Sequence, residues 1–219
     1  MINIQDQVAK TTKTLIFTEP FYGLFLIGIN KQYSERIPTA GVSKHGIGIQ
    51  LTINPEFYIN LSEDHRFGLI KHELLHIAFG HLIMRDLYSD HKLFNIAADL
   101  EINQYILESK LPKGGLLLSS FPELKLPTKA GTKVYYDLLL QAKEDGTSPS
   151  LDNLMNQMDG KSPYCHSTWE EFDELPEADK KLMKKQIEHQ LKDTAEQTEK
   201  KCGNIPGELA DLIHRLLHV

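Results

Sequence analysis

The sequence predicts an α+β fold that is mainly helical. Three observations lead there. Apolar residues recur at helical spacing in several segments bounded by capping residues, prolines and glycines. One stretch, "GIGIQLTIN" from Gly46 to Asn54, alternates apolar and polar residues as a half-buried strand does. The segment from Glu63 to Met84 is apolar around most of its circumference, the mark of a buried central helix.

The elements follow in order. Ile4, Val8 and Leu15 sit at near-helical spacing and predict a short amphipathic helix. "EPFYGLFLIGIN" suits a buried strand or a buried helix; Pro20 in a first-turn position, after Thr18 as a cap, favours the helix. Lys31 to Arg36 reads as a strand, and "IPTAGVSKHG" as a connection or hairpin leading to the 46–54 strand. Pro55 stops that strand, and Ser62 caps the next helix with Glu63 and Asp64 at the positive end of its dipole. A further helix covers about Leu93 to Glu108 and ends before "LPKGG". Thr132 is read as the cap of a helix over Lys133 to Lys143. The Gly, Ser, Pro and Asp-rich stretch that follows reads as a long loop. Pro176 opens a charged, solvated helix closed by Gly203, and Pro206 opens a last one carrying Leu209, Leu212, Ile213, Leu216 and Leu217.

Composition narrows the function. The 219 residues are 41% hydrophobic and 25% charged, which supports a globular core. A net charge of −6 argues against a general nucleic-acid binder, whose phosphate contacts need a basic face. No secretory signal is read in the polar N-terminus. The longest apolar run, Phe21 to Ile29, falls well short of the roughly 20 residues that cross a bilayer. With only Cys165 and Cys202, the expectation is a reducing, cytoplasmic setting with both thiols free.

The chemistry lies in "LIKHELLHIAFGH", Leu69 to His81. His72 and His76 are one helical turn apart, so both imidazoles leave the same face. On a wheel of about 100° per residue from Phe67, they fall at about 140° and about 180°, and Gly80 at about 220°. Gly80 is read as leaving space beside a metal. Glu73 lies roughly 60° from His76 and can reach a water there without displacing an imidazole. In zinc hydrolases with His-Glu-x-x-His, that glutamate is the general base. The competing reading is a chance match with hydrogen-bonded core histidines. His81 falls at about 320° on the same wheel, so it can join the pair only if the helix breaks at Gly80. It is read as a packing or hydrogen-bonding residue.

A catalytic zinc has three protein ligands and one open position. Two acids compete for the third place in "FNIAADLEINQYI". From Leu93, Asp99 falls at about 240° and Asn103 at about 280°, at the edge of the apolar arc, while Glu101 falls at about 80° on its far side. An acid and an amide one turn apart beside a buried face are costly unless they serve something. Asp99 is therefore the predicted ligand, with Glu101 as the alternative. Asn103 and Asn95 are predicted to hold a ligand in place. His166, in the irregular "YCHSTWEEF", is a candidate for stabilising an oxyanion; local hydrogen bonding in a loop anchored by Trp169 is the other reading.

The segments "TAGV", "INPEF", "HELLHIAFGH" and "NIAADLEIN", in that order, resemble the Putative metallopeptidase domain of bacterial and phage proteins, which often stands before a von Willebrand A-like domain. Weaker echoes are "LPTKAGTKVYYDLL", "HSTWEEF" and "GNIPGEL". The resemblance implies a zincin-like fold: a small twisted sheet packed on the His-Glu-x-x-His helix, and a second helix delivering an acid that falls on Asp99. It also implies an edge strand beside the metal helix that binds an extended peptide by strand addition, a role offered here to the 46–54 strand. The expected organisation is a zincin-like domain over 1–143, a loop or linker over 144–168, and a helical C-terminal region over 169–219 packed on the first.

The function expected is that of a zinc metallopeptidase. One Zn2+ per chain would sit on His72, His76 and Asp99, with Glu73 as base and a peptide or protein as substrate. No nucleic acid or membrane is expected as partner, and a protein partner is left open. The alternative is a catalytically silent, zinc-stabilised protein-binding module. Glu73 separates the two, because a purely structural zinc site closes its fourth position with a protein ligand and has no use for a base.

Overall fold

The computed structural model describes residues 3–46, 48–157, 167–203 and 205–217. Two helices open the chain. In α1 (Ile4–Thr18) the Asn3 side chain accepts from the Gln5 amide, and Val8, Thr11 and Leu15 form the buried stripe. Helix α2 (Pro20–Ile27) starts on its proline, but its N-cap is Glu19 and no side chain caps it, so Thr18 does not take that role. Phe21, Tyr22, Phe25 and Leu26 are buried, so the ambiguous apolar run is a core helix.

Three strands follow: β1 (Asn30–Tyr33), β2 (Ala40–His45) and β3 (Gly48–Ile53). They form one mixed sheet in the order β1-β3-β2. β1 runs parallel to β3, with Asn30 opposite Gln50; β2 runs antiparallel to it, with Val42 opposite Leu51. The strand of the 46–54 stretch is thus central. Both of its backbone edges are paired, so it cannot add an incoming peptide as was expected of it. The edge strands are β1 and β2.

Helix α3 (Pro55–Asn60) leads into α4 (Glu63–Phe79), where Ser62 Oγ accepts from the His65 amide as expected. Every residue of α4 from Arg66 to Ala78 is buried. Leu69, Ile70, Leu74, Leu75 and Ile77 are fully covered, each contributing about 1.5–3 kcal/mol of transfer free energy. The charged residues in this stretch are held: Arg66 donates to the carbonyls of Tyr58 and Ile59, and Lys71 Nζ lies 2.5 Å from Glu19. Gly68 lets the helix touch its neighbour, since a Cβ there would stand 2.0 Å from the Lys110 carbonyl oxygen.

The helix expected to run to Met84 stops at Phe79. Gly80 takes a left-handed conformation, φ 76°, and a four-residue helix α5 (His81–Met84) leaves in a new direction. Helix α6 (His91–Ile102), capped by Asp90, passes into a single 3-10 turn over Asn103–Tyr105. α7 spans Thr132–Asp145; its N-cap is Gly131, because the Thr132 side chain is engaged elsewhere. The expected loop contains a helix, α8 (Pro149–Gln157), whose Ser148 accepts from the Leu151 amide. After a 3-10 turn at Ser167–Trp169 come α9 (Glu170–Asp173), α10 (Glu177–Cys202), closed by Gly203, and α11 (Ala210–Leu217).

The fold is therefore α+β and mainly helical. Buried residues from Val8 through Ala142 and from Leu151 through Ile213 belong to one hydrophobic cluster, with Trp169 fully covered. Near the C-terminus Glu208 accepts from Tyr22 Oη at 2.6 Å and lies 3.5 Å from Lys71, tying that end to α2 and α4. Among the described residues, no helix is long and apolar enough to cross a membrane. Cys202 is a free, exposed thiol, and Cys165 lies outside the described residues.

Candidate metal centre

Helix α4 carries His72 and His76 one turn apart, and their Nε2 atoms lie 2.9 Å from each other. Helix α6 crosses beside α4 and brings Asp99, whose Oδ1 is 3.2 Å from His76 Nε2 and 3.6 Å from His72 Nε2. All three residues are at most 2% exposed. Among the described residues they are the one such group of His, Cys, Asp or Glu whose donor atoms lie within 4.8 Å of one another.

The donor set suits zinc on two counts. Two imidazole nitrogens and a carboxylate oxygen make a catalytic-type set that leaves a fourth position. Bonds of about 2.0–2.1 Å in a tetrahedron would put donor atoms about 3.3 Å apart. The three observed separations, 2.9, 3.2 and 3.6 Å, bracket that value.

The outer nitrogens are also engaged. His72 Nδ1 lies 2.8 Å from Asn103 Oδ1, and Asn103 Nδ2 donates to the Leu116 carbonyl at 2.8 Å. That second bond turns the amide oxygen toward the ring. His72 must then carry its proton on Nδ1, which leaves the Nε2 lone pair to face Asp99 and His76. His76 Nδ1 lies 2.8 Å from His81 Nδ1. His81 reaches it because the chain reverses at Gly80, not because it shares a helix face. A Cβ on Gly80 would meet no protein atom within 4 Å, so among the protein's own atoms it is the positive φ that asks for glycine there.

Glu73 is 3% exposed. Its pKa is pushed up to about 8, first by burial and then by the charge of Asp99, against a hydrogen bond from the Val42 amide. The Val42 carbonyl accepts from Thr168 Oγ1 at 2.6 Å. Trp169 packs edge-on against His76, ring centres 4.7 Å apart.

The other predicted residues fall as follows. Glu101, the alternative ligand, turns away from the three donors and meets His81 Nε2 at 3.2 Å and the Thr132 amide at 3.0 Å. Burial opposes its charge, but the bonds from His81 and Thr132 outweigh that and hold it below the usual carboxylate range. Asn95 sits one turn before Asp99 on α6. Its Oδ1 is buried and has no hydrogen-bond partner among the described residues. His166 lies outside the described residues. Thr132 and Trp169 had no predicted role at the site; the nearness of Thr132 depends on a loop of some thirty residues that no local pattern reveals.

A family model described as Putative metallopeptidase domain matches residues 4–219. No curated protein and no solved structure matches the chain.

Proposed function

We propose that this chain, which belongs to the Putative metallopeptidase domain family, is a zinc-dependent peptidase of the zincin kind. The observation that carries the proposal is the convergence of His72, His76 and Asp99 with a buried Glu73 alongside. Those three would hold one Zn2+. When bound, it would polarise a peptide carbonyl and bring the pKa of a water toward about 7.

The remaining work falls to the chain's own residues. Asn103 holds His72 in the tautomer that presents Nε2. The Val42 amide, on β2, favours the charged form of the Glu73 carboxyl. Glu73 takes the proton of the attacking water and returns it to the departing amine. His166 remains a proposed oxyanion donor. The substrate class is a peptide or protein. In organisation, 1–143 is the proposed catalytic domain, 144–168 its connection and 169–219 its helical cover. Two cysteines in the chain support a cytoplasmic setting.

A second reading has its own observation. The three donors and Glu73 are at most 3% exposed, with Thr168 bonded to β2 and Trp169 against His76. That cover would suit a zinc-stabilised binding module without turnover.

Metal analysis and peptide cleavage on the wild type and Glu73→Gln separate the two. A peptidase gives stoichiometric zinc in both proteins, and cleavage that falls by about 10²–10⁴-fold in the variant. Stoichiometric zinc with no cleavage of any peptide by the wild type favours the module. Equal cleavage by both proteins removes Glu73 as the base.

A further inference from the structure

Behind His76 lies a row of polar groups that the peptidase reading does not use. His81 is fully buried. Its Nδ1 is 2.8 Å from His76 Nδ1, and its Nε2 is 3.2 Å from Glu101 Oε2 and 2.9 Å from Thr132 Oγ1. Thr132 in turn donates both its hydroxyl and its amide to the same Glu101 oxygen. Three elements contribute: α5, α6 and the first residue of α7.

The directions of these bonds can be followed from the carboxylate. The Thr132 hydroxyl proton is spent on Glu101, so that oxygen can only accept from His81. His81 Nε2, facing a carboxylate and an accepting hydroxyl, must carry a proton. A neutral His81 then offers a lone pair on Nδ1. His76 fills it by donating from its own Nδ1, which leaves its Nε2 lone pair directed at His72 and Asp99. The sequence of donors runs one way, from His76 to His81 to Glu101.

We infer that His81, anchored by Glu101 and Thr132, is a positioning residue that fixes the ring orientation and tautomer of His76 for metal binding. His81 is thereby not a ligand, and its burial is not simple packing. The two ligand histidines are oriented by unlike partners: a neutral amide for His72, and an imidazole backed by a carboxylate for His76. Such an outer partner is worth about 10–100-fold in metal affinity. The Gly80 turn acquires a purpose too, since only the reversal there brings His81 back over His76.

The inference rests on the metal-binding reading above. Zinc affinity is measured by chelator competition on the wild type, His81→Leu, His81→Gln and Glu101→Gln, each first shown to melt cooperatively without metal. Leucine fills the space without polar groups; glutamine can accept from His76 and donate to Glu101. The expected order is wild type close to His81→Gln, with His81→Leu weaker by about 10–100-fold. Glu101→Gln, at a position less enclosed than His81, falls between. In the zinc-loaded wild type, ring 1H–15N correlations should show a protonated, exchange-protected Nδ1 on His76, and His81→Leu should lose that protection.

Equal affinity of His81→Leu and wild type overturns the inference while leaving the metal site standing. So does a glutamine variant no better than leucine, because packing alone predicts no rescue. A wild type that binds no zinc removes the metal reading and this inference together.

Discussion

Gly80→Ala tests why the long helix ends where it does. The glycine sits at φ 76° and closes α4 with its amide on the carbonyls of His76 and Ile77. Two accounts of it make different predictions. If the glycine is there for space beside the metal, a methyl group should weaken zinc binding. If it is there for its backbone angle, the methyl group should cost stability alone. The structure favours the angle, because a Cβ built there meets nothing within 4 Å. The left-handed region costs an L residue about 1–2 kcal/mol. Alanine recovers roughly 0.4–1 kcal/mol of that by restricting the unfolded chain. The net loss is then about 1 kcal/mol, or a fall of about 2–4 °C in melting temperature for a chain of this size. Asparagine, which tolerates the conformation better, should lose less. The assay is thermal unfolding of the metal-free proteins, followed by chelator competition for zinc. A loss above about 3 kcal/mol would exceed what the backbone angle can explain. Unchanged stability with markedly weaker zinc binding would restore the spatial account and refute this one.

Two further outcomes follow from neighbouring contacts. Asn103→Leu should keep the fold and weaken zinc binding by about 10–100-fold, since it removes the acceptor that holds His72 Nδ1; chelator competition checks it, and unchanged affinity would mean that the His72 ring is fixed by packing alone. Gly68→Ala should destabilise by about 1–3 kcal/mol in urea unfolding, because its Cβ would press on the Lys110 carbonyl at 2.0 Å and the obstacle is backbone, not a flexible side chain.

What could be read from the sequence was local. Ser62 capping α4, Pro20 opening α2 and Gly203 closing α10 are each decided within a few residues, and the structure has all three. β2 was hidden for a specific reason. Ala40, Gly41, Val42 and Ser43 are all buried, so the strand is covered on both faces and shows no alternation. Its small residues also carry little of the bulk that marks a strand. α8 was hidden by composition. Leu151 is its one buried residue, and a helix that buries so little looks like the loop around it. The position of β3 in the centre of the sheet was beyond local reading altogether. It depends on β1 pairing in parallel from the other side, a contact between residues about twenty positions apart.

The candidate site divides along the same line. A helix repeats every 3.6 residues, so His72 with His76 and Asp99 with Asn103 could be grouped by arithmetic on one chain segment. That arithmetic fails at the first residue where the helix is not a helix. The wheel carried α4 through Gly80 and placed His81 on the far side from the imidazole pair, when one left-handed residue turns it back within 2.8 Å of His76. A glycine inside an apolar helical pattern is compatible with either outcome, because a helix tolerates it at about 1 kcal/mol and a C-cap prefers it. What decides between them is the partner waiting after the turn. Here that partner is Glu101 with Thr132, which satisfies a buried imidazole that a continuous helix would have had to place elsewhere. The break and the polar row behind His76 are therefore one feature: the left-handed residue is tolerated because the histidine after it is hydrogen-bonded at both nitrogens, and those bonds exist only because the residue is left-handed.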